Sequence, residues 1–268
     1  MTGALHFPKG ELLVVNYHGT QRRFIPEFRE QLSLFRKYFR FITPAQVADY
    51  YEGKMADSPP SILLTFDDGI LNNLFAVEIL DQEKIKALFF VIPGFIDSPA
   101  ESQKEFFLRN IRPTIIPEVD SEKEDFSALS WSQLRTLIQS GHAVGAHTYT
   151  HTLCSSASSP ENSSFEIINS KQRIEKELRV PITAYCAPND SLYSTGKKEM
   201  KLIKDNYRFF FSTYPGSNAE NPSPWFIKRC NIETHWMQGA VTYAIGRASY
   251  RRWKEQTRLF NKLAESQQ

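Results

Sequence analysis

Short apolar runs alternate along the chain with stretches whose apolar residues recur at helical spacing. Leu12-Leu13-Val14-Val15 is uninterrupted, the pattern of a buried strand. Residues 26–39 then place Phe28, Leu32, Phe35 and Phe39 on one helical face, with Pro26 in the first turn. Thr43-Pro44 supplies an N-cap and a first helical position for a second helix. A strand at 62–66, a helix at 71–82 and a strand at 88–92 follow. Residues 93–128 are rich in proline, serine and charge, and read as a long loop or insertion with one short helix at 103–110. Ser130 caps a helix that runs to Gln139, with Gly141 as its C′ stop. Beyond it the pattern predicts strands at 143–146, 182–187 and 209–211 and helices at 163–178 and 197–205. Residues 226–231 offer a further strand, and a helix from about 236 to 264 closes the chain, with a break near Gly246.

Strands separated by helices predict an α/β fold, a parallel sheet with helices outside it, either a barrel or a doubly wound sheet. In both, ligands gather at the carboxyl ends of the strands. No composition break divides the 268 residues, and 41% hydrophobic content suffices for a core without staples. The expectation is one domain over residues 1–268. A net charge of +2, with scattered Lys and Arg, argues against a nucleic-acid face. Cys154, Cys186 and Cys230 are odd in number and lack framework spacing, which suits reduced thiols. Residues 1–10 lack the pattern of a signal peptide, and no run approaches a membrane span. A cytoplasmic location is therefore expected if residue 1 is the natural start. The basic stretch 247–258, interleaved with Tyr250 and Trp253, reads as a solvated amphipathic helix or as a contact for a membrane surface or anionic glycan.

The candidate chemistry sits at predicted strand ends. Thr65-Phe66-Asp67-Asp68-Gly69 puts two adjacent carboxylates after an apolar run. Neighbouring side chains on a strand face opposite ways, so both serve one site only where the backbone turns, and Gly69 permits that turn. The competing reading is a turn or cap pair. His147 and His151 follow the strand at 143–146. On a helix their i,i+4 spacing would put both rings on one face, within reach of one ion; the alternative is surface placement. Two nitrogens and one carboxylate suit zinc, with cobalt, nickel or manganese as substitutes, and leave an open position for water.

These motifs resemble those of the polysaccharide deacetylases, the NodB-homology or carbohydrate esterase family 4 enzymes. Leu129-Ser130-Trp131 and Gly141-His142 fit as well, and the likeness runs from about residue 11 to 232. The resemblance implies a distorted (β/α) barrel and metal-dependent hydrolysis of acetyl groups on N-acetylated sugars by a metal-bound water. It implies Asp67 as general base and Asp68, His147 and His151 as metal ligands. Val15-Asn16-Tyr17-His18 resembles the acid motif of a permuted branch similar to poly-N-acetylglucosamine deacetylases, which makes His18 the general acid. His235, in Glu233-Thr234-His235-Trp236, is the runner-up.

One stretch departs from the family pattern. After Tyr185-Cys186-Ala187-Pro188, Asn189 and Asp190 replace the usual aromatic and glycine of the wall that shapes the sugar pocket. Tyr185 and Pro188 remain candidate supports. Arg229 resembles an arginine of the same branch that would hold Asp67 ionised, with a surface arginine as the alternative. The altered wall keeps open a second function, a catalytically weak barrel that binds glycans within a polysaccharide-assembly system. A cytoplasmic location would suit a nucleotide-linked sugar, a lipid-linked sugar or a soluble oligosaccharide.

Overall fold

The computed structural model describes residues 5–111, 122–154, 159–189, 192, 195–246, 250 and 253–265. The two six-residue runs form β1 (Leu12–Tyr17) and β3 (Ser61–Phe66), paired in parallel from Leu12 opposite Ser61 to Tyr17 opposite Phe66. Every residue of both is buried, which is why neither alternates polar with apolar. The short β2 (Arg40–Phe41) pairs with the start of β3. β4 (Ala87–Val91), β5 (Ala143–Ala146), β6 (Ala184–Cys186) and β7 (Phe209–Phe211) extend the parallel sheet on one side, and β8 (Cys230–Asn231) pairs with β1 on the other. The order is β7-β6-β5-β4-β3-β1-β8. Ile227 bridges Phe211 in parallel while Cys230 and Asn231 pair with Val15 and Asn16, so residues 227–231 link the two ends of the sheet. The result is a distorted barrel with helices around it.

Strand alternation divides the core in two. Leu12, Val14, Leu63, Phe90, Ala184 and Cys186 pack with one another inside the barrel. Leu13, Val15, Tyr17, Leu64 and Phe66 pack outward with helical residues such as Phe28, Leu32 and Phe35 of the helix Ile25–Tyr38. Continuing the inward parity past Val14 and Leu63 leads to Asn16 and then His18 just after β1, and to Thr65 and then Asp67 just after β3. The inner core therefore ends in polar side chains at the carboxyl ends of the strands.

Several elements differ from expectation. Of the segment 93–128, residues 112–121 lie outside the described residues, and the described parts, 93–111 and 122–128, are not a loose insertion. They fold as helices Pro93–Asp97 and Gln103–Phe106, a π-helical turn Phe107–Ile111 and a 3₁₀ turn Lys123–Phe126. Phe95, Phe107, Ile111 and Phe126 from this segment join the outer core. The helix expected at 163–178 is interrupted by a π-helical turn, Phe165–Asn169, between Pro160–Ser164 and Ser170–Leu178. The closing stretch breaks at Gly246 as its pattern predicts, and its described residues form the helices Gln238–Ile245 and Lys254–Glu265. Of the basic stretch, residues 247–249 and 251–252 lie outside the described residues. Ser130 caps Trp131–Gln139 as expected, in a capping box with Gln133, and Gly141 has φ +90°. All three cysteines are free and buried. Among the described residues no helix is long and apolar enough to cross a membrane.

Candidate active site

Two tight turns assemble the site. Asp67 leaves β3 with its N–H donating to the Tyr17 carbonyl at 2.8 Å. Asp68 and Gly69 then adopt left-handed backbone, with φ 71° and 67°. This reverses the strand alternation and brings both carboxylates to one cavity. The histidine segment is not a helix, contrary to the i,i+4 expectation. It is a turn in which Thr148 and His151 have φ 60° and 64°. Buried Glu166 holds that turn, accepting the N–H groups of Tyr149 and Thr150 at 2.8 Å each and the Thr150 hydroxyl at 2.6 Å.

The turns bring Asp68, His147 and His151 together. The Nε2 atoms of both histidines lie 3.5 Å from Asp68 Oδ1. Each imidazole is oriented from behind: His147 Nδ1 sits 2.9 Å from the Cys186 carbonyl oxygen, and His151 Nδ1 sits 2.8 Å from that of Asn110. A carbonyl only accepts, so Nδ1 carries the proton in both rings and Nε2 presents a lone pair toward Asp68. Asp68 Oδ1 is buried and has no hydrogen-bond partner. Two imidazole lone pairs and an orphaned carboxylate oxygen converging on one point are the donor set of a cation, and the three residues fit a metal. Burial disfavours charge on His151 and pushes its pKa down to about 4, so the ring is neutral near neutral pH. Burial alone would raise the Asp68 pKa, but the positive charge of any protonated imidazole beside it pulls the other way and keeps the group ionised.

Asp67 has a different partner. Arg229 donates to Asp67 Oδ1 and Oδ2 at 2.7 and 2.8 Å, and also to Ser212 O and Thr65 Oγ1. Both side chains are buried, so Arg229 is not a surface residue. Burial would raise the Asp67 pKa, but the Arg229 charge outweighs it and keeps the group ionised.

His18, Asp67, Asp68, His147 and His151 line one cavity of about 220 Å³. His18 Nδ1 faces Glu233 Oε1 at 3.7 Å, which leaves Nε2 for the cavity. His235 is exposed, lies against Phe24 and lines a separate cavity. Tyr185 packs outward against Tyr207 and Phe210 and does not line the site, because it alternates with inward-facing Ala184 and Cys186. Pro188 is buried between two cavity residues, Ala187 and exposed Asn189 with φ 52°. Asp190 lies outside the described residues.

Four contributors escaped the sequence reading. Glu166 and the Asn110 and Cys186 carbonyls support the Asp68, His147 and His151 cluster. Buried Gln31 ties down the chain beside His18 by donating to the carbonyls of Glu233, Thr234 and Trp236. Glu166 and Gln31 were visible only as polar residues on otherwise apolar helix faces, and a backbone carbonyl leaves no trace in sequence.

The polysaccharide deacetylase family model matches residues 54–204. No curated protein matches the chain. Solved structures share the fold. The deacetylase PplD of Streptococcus pyogenes, solved with acetate, has a TM-score of 0.65 at 18% identity, covering 89% of this chain and 99% of its own. IcaB of Ammonifex degensii has 0.64 at 22%, covering 90% and 96%. The BpsB deacetylase domain of Bordetella bronchiseptica has 0.64 at 19%, covering 85% and 98%. The chain belongs to the polysaccharide deacetylase family and is a carbohydrate deacetylase.

Proposed function

We propose that the enzyme hydrolyses the acetamide of an N-acetylated sugar, with a divalent metal held by Asp68, His147 and His151. The observation that carries this reading is the buried, unpartnered Asp68 Oδ1 facing two imidazole nitrogens whose other nitrogens are already engaged. Zinc suits that mixed donor set best, with cobalt, nickel or manganese as substitutes. When bound, the metal would polarise the acetyl carbonyl and lower the pKa of water from about 15.7 toward about 7.

Asp67 is the base in this reading. Its carboxylate, fixed by Arg229, takes a proton from the attacking water. His18 is the acid. Its Nε2 gives a proton to the departing amine nitrogen, because an amide anion is too basic to leave unaided. Each transfer contributes roughly 10²–10⁴-fold. Burial of the metal cluster keeps its electrostatics strong. The acetate found with the Streptococcus pyogenes relative is the acid such a reaction would release.

The test is elemental analysis of wild type and His147→Ala, beside acetate release from N-acetylglucosamine oligomers. About one divalent ion per chain, lost in the variant together with acetate release, is the expected result. A wild type that holds no metal after reconstitution would end this reading and leave a glycan-binding barrel.

A further inference from the structure

His18 Nδ1 is buried, and among the described residues no hydrogen bond reaches it. A ring nitrogen left unpaired away from water is costly, so the group that faces it calls for an explanation. That group is Glu233, whose Oε1 lies 3.7 Å away. The distance is too long for a finished hydrogen bond. Contacts of this kind in catalytic sites tighten when substrate fills the cavity.

The chain around Glu233 is built to keep that carboxylate in place. On one side of it the Ile232 N–H donates to the Asn16 carbonyl at 2.9 Å. On the other the Thr234 hydroxyl donates to the Gly19 carbonyl at 3.4 Å. Residues 232–234 therefore lie alongside residues 16–19, with Glu233 opposite His18. Gln31, fully buried on the helix Ile25–Tyr38, donates from Nε2 to the carbonyls of Glu233, Thr234 and Trp236 at 3.1, 3.0 and 2.8 Å. Its Oε1 accepts the hydroxyl of Tyr17, the residue before His18, at 2.8 Å. One side chain thus braces the segments that carry both His18 and Glu233. The carboxylate itself accepts from Asn231 Nδ2 at 3.1 Å, and Asn231 accepts in turn from Asn16 Nδ2 at 3.0 Å. An ion pair serving only surface stability is worth about 0–1 kcal/mol and needs none of this support.

We propose that Glu233 is a positioning residue for the acid step. The proposal rests on the deacetylase reading, in which His18 gives a proton to the departing amine, and adds the group that decides which ring nitrogen does so. A carboxylate only accepts, so Glu233 fixes a proton on Nδ1. The proton on Nε2 is then the one the charged ring gives up, at the nitrogen left for the cavity. Glu233 touches no reacting atom and acts through His18 alone.

Two readouts test it on the zinc-loaded protein. The first is the imidazole ¹⁵N spectrum at about pH 9, above the ordinary histidine range, with the His18 signals assigned by their loss in His18→Asn. The neutral ring is expected to carry its proton on Nδ1 in wild type and to shift toward Nε2 in Glu233→Ala. A wild-type ring protonated on Nε2, or a tautomer unchanged in Glu233→Ala, overturns the proposal. The second is a double-mutant cycle on acetate release from the N-acetylglucosamine trisaccharide. Glu233→Ala is expected to lower kcat by about 10–100-fold with KM little changed, a part of the roughly 10²–10⁴-fold that the acid supplies. In the His18→Asn background the same substitution is expected to cost less than about twofold. An equal loss in both backgrounds, or a loss confined to KM, overturns the proposal, because a merely structural residue would behave so. A wild type that shows the Nδ1 proton, lost in Glu233→Ala, but releases no acetate would refute the deacetylase reading while the pairing of His18 with Glu233 stands.

Discussion

Arg229 grips Asp67 through two parallel hydrogen bonds of 2.7 and 2.8 Å, although 162 positions separate them in the chain. One residue immediately follows β3 and the other immediately precedes β8, so the pair ties the proposed base to the segment that links the ends of the barrel. Removing the guanidinium would leave a buried carboxylate alone. Arg229→Ala should lose about 3–5 kcal/mol of stability. Arg229→Lys keeps a charge but cannot reproduce the fork, and should fall between the two. Urea unfolding of the three proteins checks this. An Arg229→Ala variant as stable as wild type would show that the ion pair does not hold the barrel together.

His18 and His235 can be separated by function. His18 lines the cavity with Asp67 and Asp68, and His235 does not. His18→Asn should cut acetate release about 10²–10⁴-fold without loss of metal. His235→Asn should remain close to wild type. The reverse ranking, at equal metal content, would move the acid to the C-terminal position.

What could be read in advance follows from how local each signal is. Asp67, Asp68, His147, His151 and His18 all lie within a few residues of a strand end, and an apolar run that stops at a polar residue marks that place in the sequence. The backbone shape there was not legible. Spacing alone suggested a helix for 147–151, whereas the chain turns through two left-handed residues on a buried glutamate that is distant in sequence. Tyr185 faces the helices because strand parity decides which side a residue takes, and a three-residue strand carries too little pattern in sequence to set it. The 93–128 segment hid its packing behind polar composition. Its core residues, Phe95, Phe107, Ile111 and Phe126, are spaced irregularly because helical, π-helical and 3₁₀ turns follow one another.

Away from the site, His142 should make the fold acid-sensitive. Its Nδ1 accepts the Ala87 N–H at 3.1 Å at the start of β4, and its Nε2 lies 3.2 Å from Asp81. A second proton would set two N–H groups against each other. Burial pulls its pKa below the ordinary 6.5, although Asp81 pulls the other way. The folded pKa is therefore the lower one, and the unfolded chain takes up the proton first as pH falls. Stability should drop from about pH 6.5 downward and level off below the folded pKa. His142→Gln should flatten that part of the curve. Urea midpoints at about pH 7.5 and 5.5 for both proteins decide it, and equal slopes would clear His142.

Glu166 offers a test of how far the metal cluster depends on its support. Its carboxylate accepts two backbone N–H groups and a hydroxyl from the turn that places His151. Glutamine in its place has one acceptor oxygen instead of two, and its amide would face donors. Glu166→Gln should therefore loosen the turn without touching a ligand. The expected result is a metal affinity weaker by about 10–100-fold, measured by chelator competition. A stability loss of about 1–3 kcal/mol should accompany it. Stability and affinity need not move together, and that is the value of the variant. If stability falls while metal affinity holds, the two imidazoles are set by the Cys186 and Asn110 carbonyls alone, and Glu166 serves the fold rather than the site.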